Sequence, residues 1–136
     1  MRGSAEPVGL TFDTGALIGL ERFRHSMRKV YDTAVTNSVQ ITVPTVIVAE
    51  WWRAGKWEKE RARILRSVIV EPVTDGVARL AGVALTVVPS AQTIDAIVMA
   101  SASRRLQEIV YTSDANDLEL LRDSVPEFRG IRIERA

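Results

Sequence analysis

The chain has 136 residues, 46% hydrophobic and 26% charged, the balance of one globular domain able to bury a core without cross-links. It contains no cysteine, which excludes zinc fingers, thiol nucleophiles and disulfide frameworks, and no apolar run nears the roughly 20 residues that cross a bilayer. The net charge of +1 conceals an uneven layout, because Arg22, Arg24, Arg28 and Lys29, then Arg53, Lys56, Lys59, Arg61, Arg63 and Arg66 crowd the first half, either as solvated helix faces or as a surface that tracks phosphates.

Residues 1–136 are expected as one domain, with residues 1–7 a flexible start or, at Met1-Arg2-Gly3-Ser4, a remnant of expression. No signal peptide is read at the start, so a cytoplasmic location is expected. Val8 to Phe12 is an apolar run that stops at Asp13-Thr14-Gly15, after which Ala16, Leu17, Leu20 and Phe23 recur at helical spacing, predicting strand, turn and helix. A second amphipathic helix carries Met27, Val30, Tyr31 and Ala34 and ends near Asn37; Val39 to Val43 reads as a strand halted by Pro44. The next helix begins at Thr45 and carries Glu50 within a stretch that reads as buried.

Glu58 to Arg66 is a charged helix, and Val68-Ile69-Val70 is an apolar run of the kind found in buried strands. Val77, Leu80, Ala81, Ala84 and Leu85 mark a helix ending before Pro89. Thr93 is expected to cap the helix through Ile94, Ile97, Val98, Ala102 and Leu106. Ile109 to Thr112 is the next strand, Ser113-Asp114 opens a short helix through Leu118 and Leu121, and Ile131-Arg132-Ile133 is an expected edge strand. Strands alternating with helices imply a three-layer α/β/α fold around a mostly parallel sheet of about five strands.

In open sheets of this kind ligands bind outside the carboxyl ends of the strands. Asp13 and Asp114 each follow a strand, Asp95 lies in the first turn of its helix and Glu50 follows the strand ending at Val43, so all four carboxylates are expected on one rim. Carboxylate oxygens are the ligands that hard divalent cations prefer. Without a cation, each pair at about 6 Å and an effective dielectric of about 20 costs roughly 3 kcal/mol, so metal binding or protonation of one member must relieve the repulsion. Each residue also has a local explanation: Asp114 with Asp117 as a helix cap and its first-turn partner, Asp95 as a charge favoured by the helix dipole, Asp13 as a turn residue.

Phe12-Asp13-Thr14-Gly15-Ala16-Leu17, Thr45-Val46-Ile47-Val48-Ala49-Glu50, Thr93 to Ala100 around Asp95, and Tyr111-Thr112-Ser113-Asp114-Ala115-Asn116-Asp117-Leu118 resemble, in order, the four acidic motifs of PIN-domain nucleases, and most of all those of VapC toxins. The resemblance implies a PIN-like fold, a Mg²⁺- or Mn²⁺-dependent endoribonuclease, and metal binding by Asp13, Glu50, Asp95 and Asp114. It places Asp117 as an outer ligand and Thr112 or Ser113 near the site. It further implies a homodimer held inactive by a VapB-type antitoxin. Ala115-Asn116 stands where many relatives have Pro and Asp, which bears on Asp117 rather than on Asp114.

Arg22, Arg24, Arg53, Lys56, Arg104 and Arg105 are the candidates for docking RNA phosphates, and Trp51, Trp52 and Trp57 for a partner's groove. His25 reads as a surface residue. Asp13-Thr14-Gly15-Ala16 also matches the active-site turn of retroviral-type aspartic proteases, but those are almost all β. A signalling receiver domain has similar layering yet relies on a late lysine, and the lysines here stop at Lys59. A PIN-like module that binds RNA without cutting it stays open.

Overall fold

The computed structural model describes residues 8–136; the expectation for residues 1–7 lies outside the described residues. Five strands, β1 (Leu10–Phe12), β2 (Ile41–Pro44), β3 (Ile69–Glu71), β4 (Ile109–Thr112) and β5 (Arg132–Arg135), form one sheet in the order β3-β2-β1-β4-β5. Every pairing is parallel, with Phe12 level with Tyr111 across β1 and β4. Parallel strands need crossovers. Helices α1 (Thr14–Glu21) and α2 (His25–Thr36) connect β1 to β2, and α3 (Thr45–Trp51) and α4 (Glu58–Arg66) connect β2 to β3. Then α5 (Asp75–Val87) and α6 (Thr93–Ala102) return to β4, and α7 (Ala115–Ser124) with a 3₁₀ turn at Pro126–Phe128 leads to β5.

The chain builds outward from β1 to β3, then returns to the other side of β1 for β4 and β5. Right-handed connections therefore place α1 to α4 on one face and α5 to α7 on the other, the expected three-layer α/β/α arrangement, here wholly parallel. The switch point lies between β1 and β4. Phe12, Leu17, Leu20, Val43, Met99, Leu121 and Phe128 are fully buried between the layers. Helix α6 is covered nearly all round, with Ala96, Val98, Met99, Ala100 and Ala102 all buried, which is why its sequence is apolar on every side.

Three expectations change. The apolar run at Val68 to Val70 forms not a buried strand but an edge one, with Ile69 43% and Val70 37% exposed; apolar composition does not report a strand's place in the sheet. Thr93 is already helical, so the cap position falls to Gln92, whose side chain makes no capping bond. Phe23 leaves the apolar stripe of α1. It stands one residue past the helix cap at φ +57, with Phe23 N donating to Leu20 O and Arg24 N to Gly19 O, a helix-ending pair in which glycine is the usual residue.

Candidate metal centre

Asp13 is the residue at which β1 becomes α1. Its extended backbone makes it the helix cap, and its Oδ1 accepts from Ala16 N at 3.0 Å, satisfying an orphan donor of the first turn. Its N–H donates to Tyr111 O at 3.2 Å, tying it to β4. At the end of β4 the fully buried Thr112 hydroxyl accepts from Asp114 N at 2.7 Å and donates to the Asp13 carboxylate. One hydroxyl thus positions both strand-end aspartates.

Gly15 lets the two turns touch. A Cβ at this position would lie 2.5 Å from Ser113 Cβ and collide with Ser113 Oγ. Gly15→Ala is expected to destabilise the chain by about 1–3 kcal/mol, the range for overpacking, in urea titration.

Asp114 occupies the cap position of α7, but its side chain makes no capping bond. The local explanation for Asp114 therefore does not hold in the fold, and its exposed carboxylate, like that of Asp117, is left to face the rim. Asp95, in the first turn of α6, is 8% exposed. Glu50 departs from expectation: its neighbours Ile47 and Trp51 are buried, while Glu50 itself is exposed and accepts the Thr14 hydroxyl. Thr14 had no signal in the sequence beyond its place beside Asp13.

These carboxylates sense one another. Burial first, then Asp114, Asp117, Asp13 and Glu50, push the Asp95 carboxyl up to about 7. Burial also raises Asp13, against hydrogen bonds from Thr112 and Ala16 that lower it. Asp95 is the member that takes a proton when no cation is present, as the repulsion among the acids requires. Among the described residues no three acidic or histidine groups close into a ready-made cage. The donor set suits a cation such as Mg²⁺, which keeps several waters and takes one or two carboxylates directly.

No family model matches the sequence, and no curated protein matches it. Solved structures do. VapBC2 from Rickettsia felis bound to a DNA fragment from its promoter is similar at TM-score 0.72 and 10% identity, over 96% of this chain and 99% of that one. DNA-bound VapBC from Salmonella typhimurium is similar at 0.66 and 13%, over 95% and 98%. A toxin–antitoxin complex from Klebsiella pneumoniae is similar at 0.63 and 16%, over 90% and 95%. The fold is PIN-like. At these identities the likeness is one of fold.

Within this PIN-like fold Asp13, Glu50, Asp95, Asp114 and Asp117 come together on the rim, at the switch point, with Thr112 and Ser113 among them. Arg22 and Arg24 lie exposed past the far end of α1, and Arg53 and Lys56 in the exposed loop after α3. Arg53 folds back, its Nη1 donating to Trp52 O at 2.6 Å. Arg104 and Arg105 stand beyond the other end of α6, about 13 Å from Asp95 along the helix axis, and Arg105 is held by Glu71 and Glu108. Trp51 is buried, its Nε1 donating to Glu21, which also binds Arg61 and so ties α1, α3 and α4 together. His25 is exposed. No described helix is long and apolar enough to cross a membrane.

Proposed function

We propose that this chain is a Mg²⁺- or Mn²⁺-dependent endoribonuclease, the toxin of a toxin–antitoxin pair, acting as a cytoplasmic homodimer silenced by a VapB-type antitoxin. The observation that carries this is the convergence of four carboxylates on Asp95 at the switch point of a PIN-like fold. The acidic motifs and the likeness to toxin–antitoxin structures support it. Asp13, Asp95 and Asp114 would hold the metal directly, with Glu50 and Asp117 beside them. When bound, the ion would supply charge against the phosphodiester and a water more easily ionised than bulk water. Thr112 keeps Asp13 oriented, Thr14 orients Glu50, and the flanking arginines and lysines dock the strand.

Purified protein given total cellular RNA should release discrete fragments with Mg²⁺ or Mn²⁺ and none with EDTA. Binding of RNA with no cleavage under either metal would mark a silent RNA-binding module instead. Mn²⁺ at a hundred times its Kd is expected to stabilise the fold by about 3 kcal/mol in thermal melts at pH 8, and a melt unmoved by Mn²⁺ would remove the metal from the proposal.

A further inference from the structure

The basic side of α1 carries an arrangement that a cation site does not use. Phe23 is 59% exposed and Trp57 49%, and together with Glu21, Arg22 and Arg61 they line a cleft of about 320 Å³. Arg28 stacks on Phe23, its guanidinium carbon 4.7 Å from the ring centre, and Lys56 Nζ stands 5.6 Å from that of Trp57. Arg28 Nη1 is buried without a partner, and among the described residues Arg22, Arg24, Arg28 and Lys56 form no ion pair. The acids beside them are already engaged: Glu21 by Arg61 and Trp51, Glu60 by Arg63.

Phe23 is also the wrong residue for its backbone. At φ +57 in the position after a helix cap, glycine has no steric cost and a bulky aromatic does, and the ring recovers little by burial. Trp57, at the cap position of α4, likewise makes no capping contribution through its side chain. Two open rings, each with a cation against it, are the surface on which unpaired bases stack while the cations meet the phosphates. The cleft lies about one α1 length, roughly 12 Å, from the rim at Asp13.

We infer that the Phe23–Trp57 cleft is a stacking subsite for unpaired bases of a single-stranded RNA substrate, setting which strand reaches the carboxylates. This rests on the ribonuclease reading. Duplex RNA, whose bases are stacked on one another, gains nothing there, so the enzyme discriminates by strandedness before chemistry.

The test is binding of a short labelled single-stranded RNA and of its duplex, measured by fluorescence anisotropy in EDTA so that neither is cut. Phe23→Gly and Trp57→Ala are each expected to weaken single-strand binding about tenfold or more, with the salt slope and duplex binding unchanged, whereas Arg22→Ala lowers the slope. Phe23→Gly should fold at least as stably as the parent, so its loss of affinity would not be a folding defect. Unchanged single-strand affinity in both variants, with cleavage by the parent intact, overturns the subsite and leaves the nuclease standing. Aromatic variants that lose only a peptide partner would identify the cleft as a protein groove and overturn it too. An absence of any RNA binding by the parent overturns both.

Discussion

Asp95→Asn is expected to lower RNA cleavage by about a thousandfold or more and, in the metal-free protein, to raise stability at pH 8. The first effect follows from losing charge where the transition state needs it, for which a single preorganised group is worth about 10²–10³, with metal affinity lost besides. The second follows from the neighbours. An ordinary aspartate has lost its proton above its usual value of 3.8, but burial and the carboxylates of Asp114, Asp117, Asp13 and Glu50 hold Asp95 protonated up to about 7. Between those two values the native state carries a proton that the unfolded chain has released, so stability falls as pH rises through that window. The full loss, at about 1.4 kcal/mol per pKa unit less what solvent at the open side screens, is a few kcal/mol. Asparagine has no such titration, so urea midpoints from about pH 5 to pH 8 should decline less in the variant, which keeps only the raised Asp13, than in the parent. Mg²⁺ or Mn²⁺ should restore the parent at high pH and leave the variant unmoved. A variant that is inactive and less stable at every pH would mean that Asp95 serves packing rather than metal.

The parts of this site that were legible in the sequence are those next to a strand end. Asp13 and Asp114 follow their strands directly, and in a parallel sheet that fixes the rim on which they stand; Asp95 is one step further, since a helix that begins over the rim returns its first turn to it. Glu50 was placed correctly along the chain and wrongly in depth. In a helix of seven residues the apolar run Val46 to Ala49 gives too few turns to tell which face Glu50 takes, and the fold turns it out towards Thr14. Strand β3 failed for a related reason: strand order decides exposure, and order depends on connections that no local pattern encodes. Phe23 kept the helical spacing of Leu17 and Leu20, but the helix ends at Arg22 and the backbone turns left-handed at Phe23 itself.

Arg105 shows the limit most clearly, and the expected cost of Arg105→Ala measures it: about 3–5 kcal/mol of stability, the range for breaking a buried ion pair from one side. In the sequence Arg104-Arg105 is a basic pair on a helix end, suited to phosphate. In the fold Arg105 Nε donates to Glu108 Oε2 at 2.9 Å, Nη1 to Glu71 Oε2 at 3.0 Å and Nη2 to Thr11 Oγ1 at 2.9 Å, joining β1, β3 and the residue before β4. Glu108 is 1% exposed, its Oε1 has no partner, and a Cβ on Gly9 would collide with that atom. Once Arg105 is gone, only the Thr11 hydroxyl remains to compensate a carboxylate enclosed by protein. The cost therefore comes from the uncompensated charge, not from the attraction lost, and the double variant Arg105→Met, Glu108→Met should recover much of it, because an apolar pair of similar size leaves nothing unpaired. A phosphate contact predicts the reverse: normal denaturant midpoints for Arg105→Ala, with a reduced salt slope in RNA binding. Denaturation of the two single variants and the double one separates these outcomes without any knowledge of the RNA.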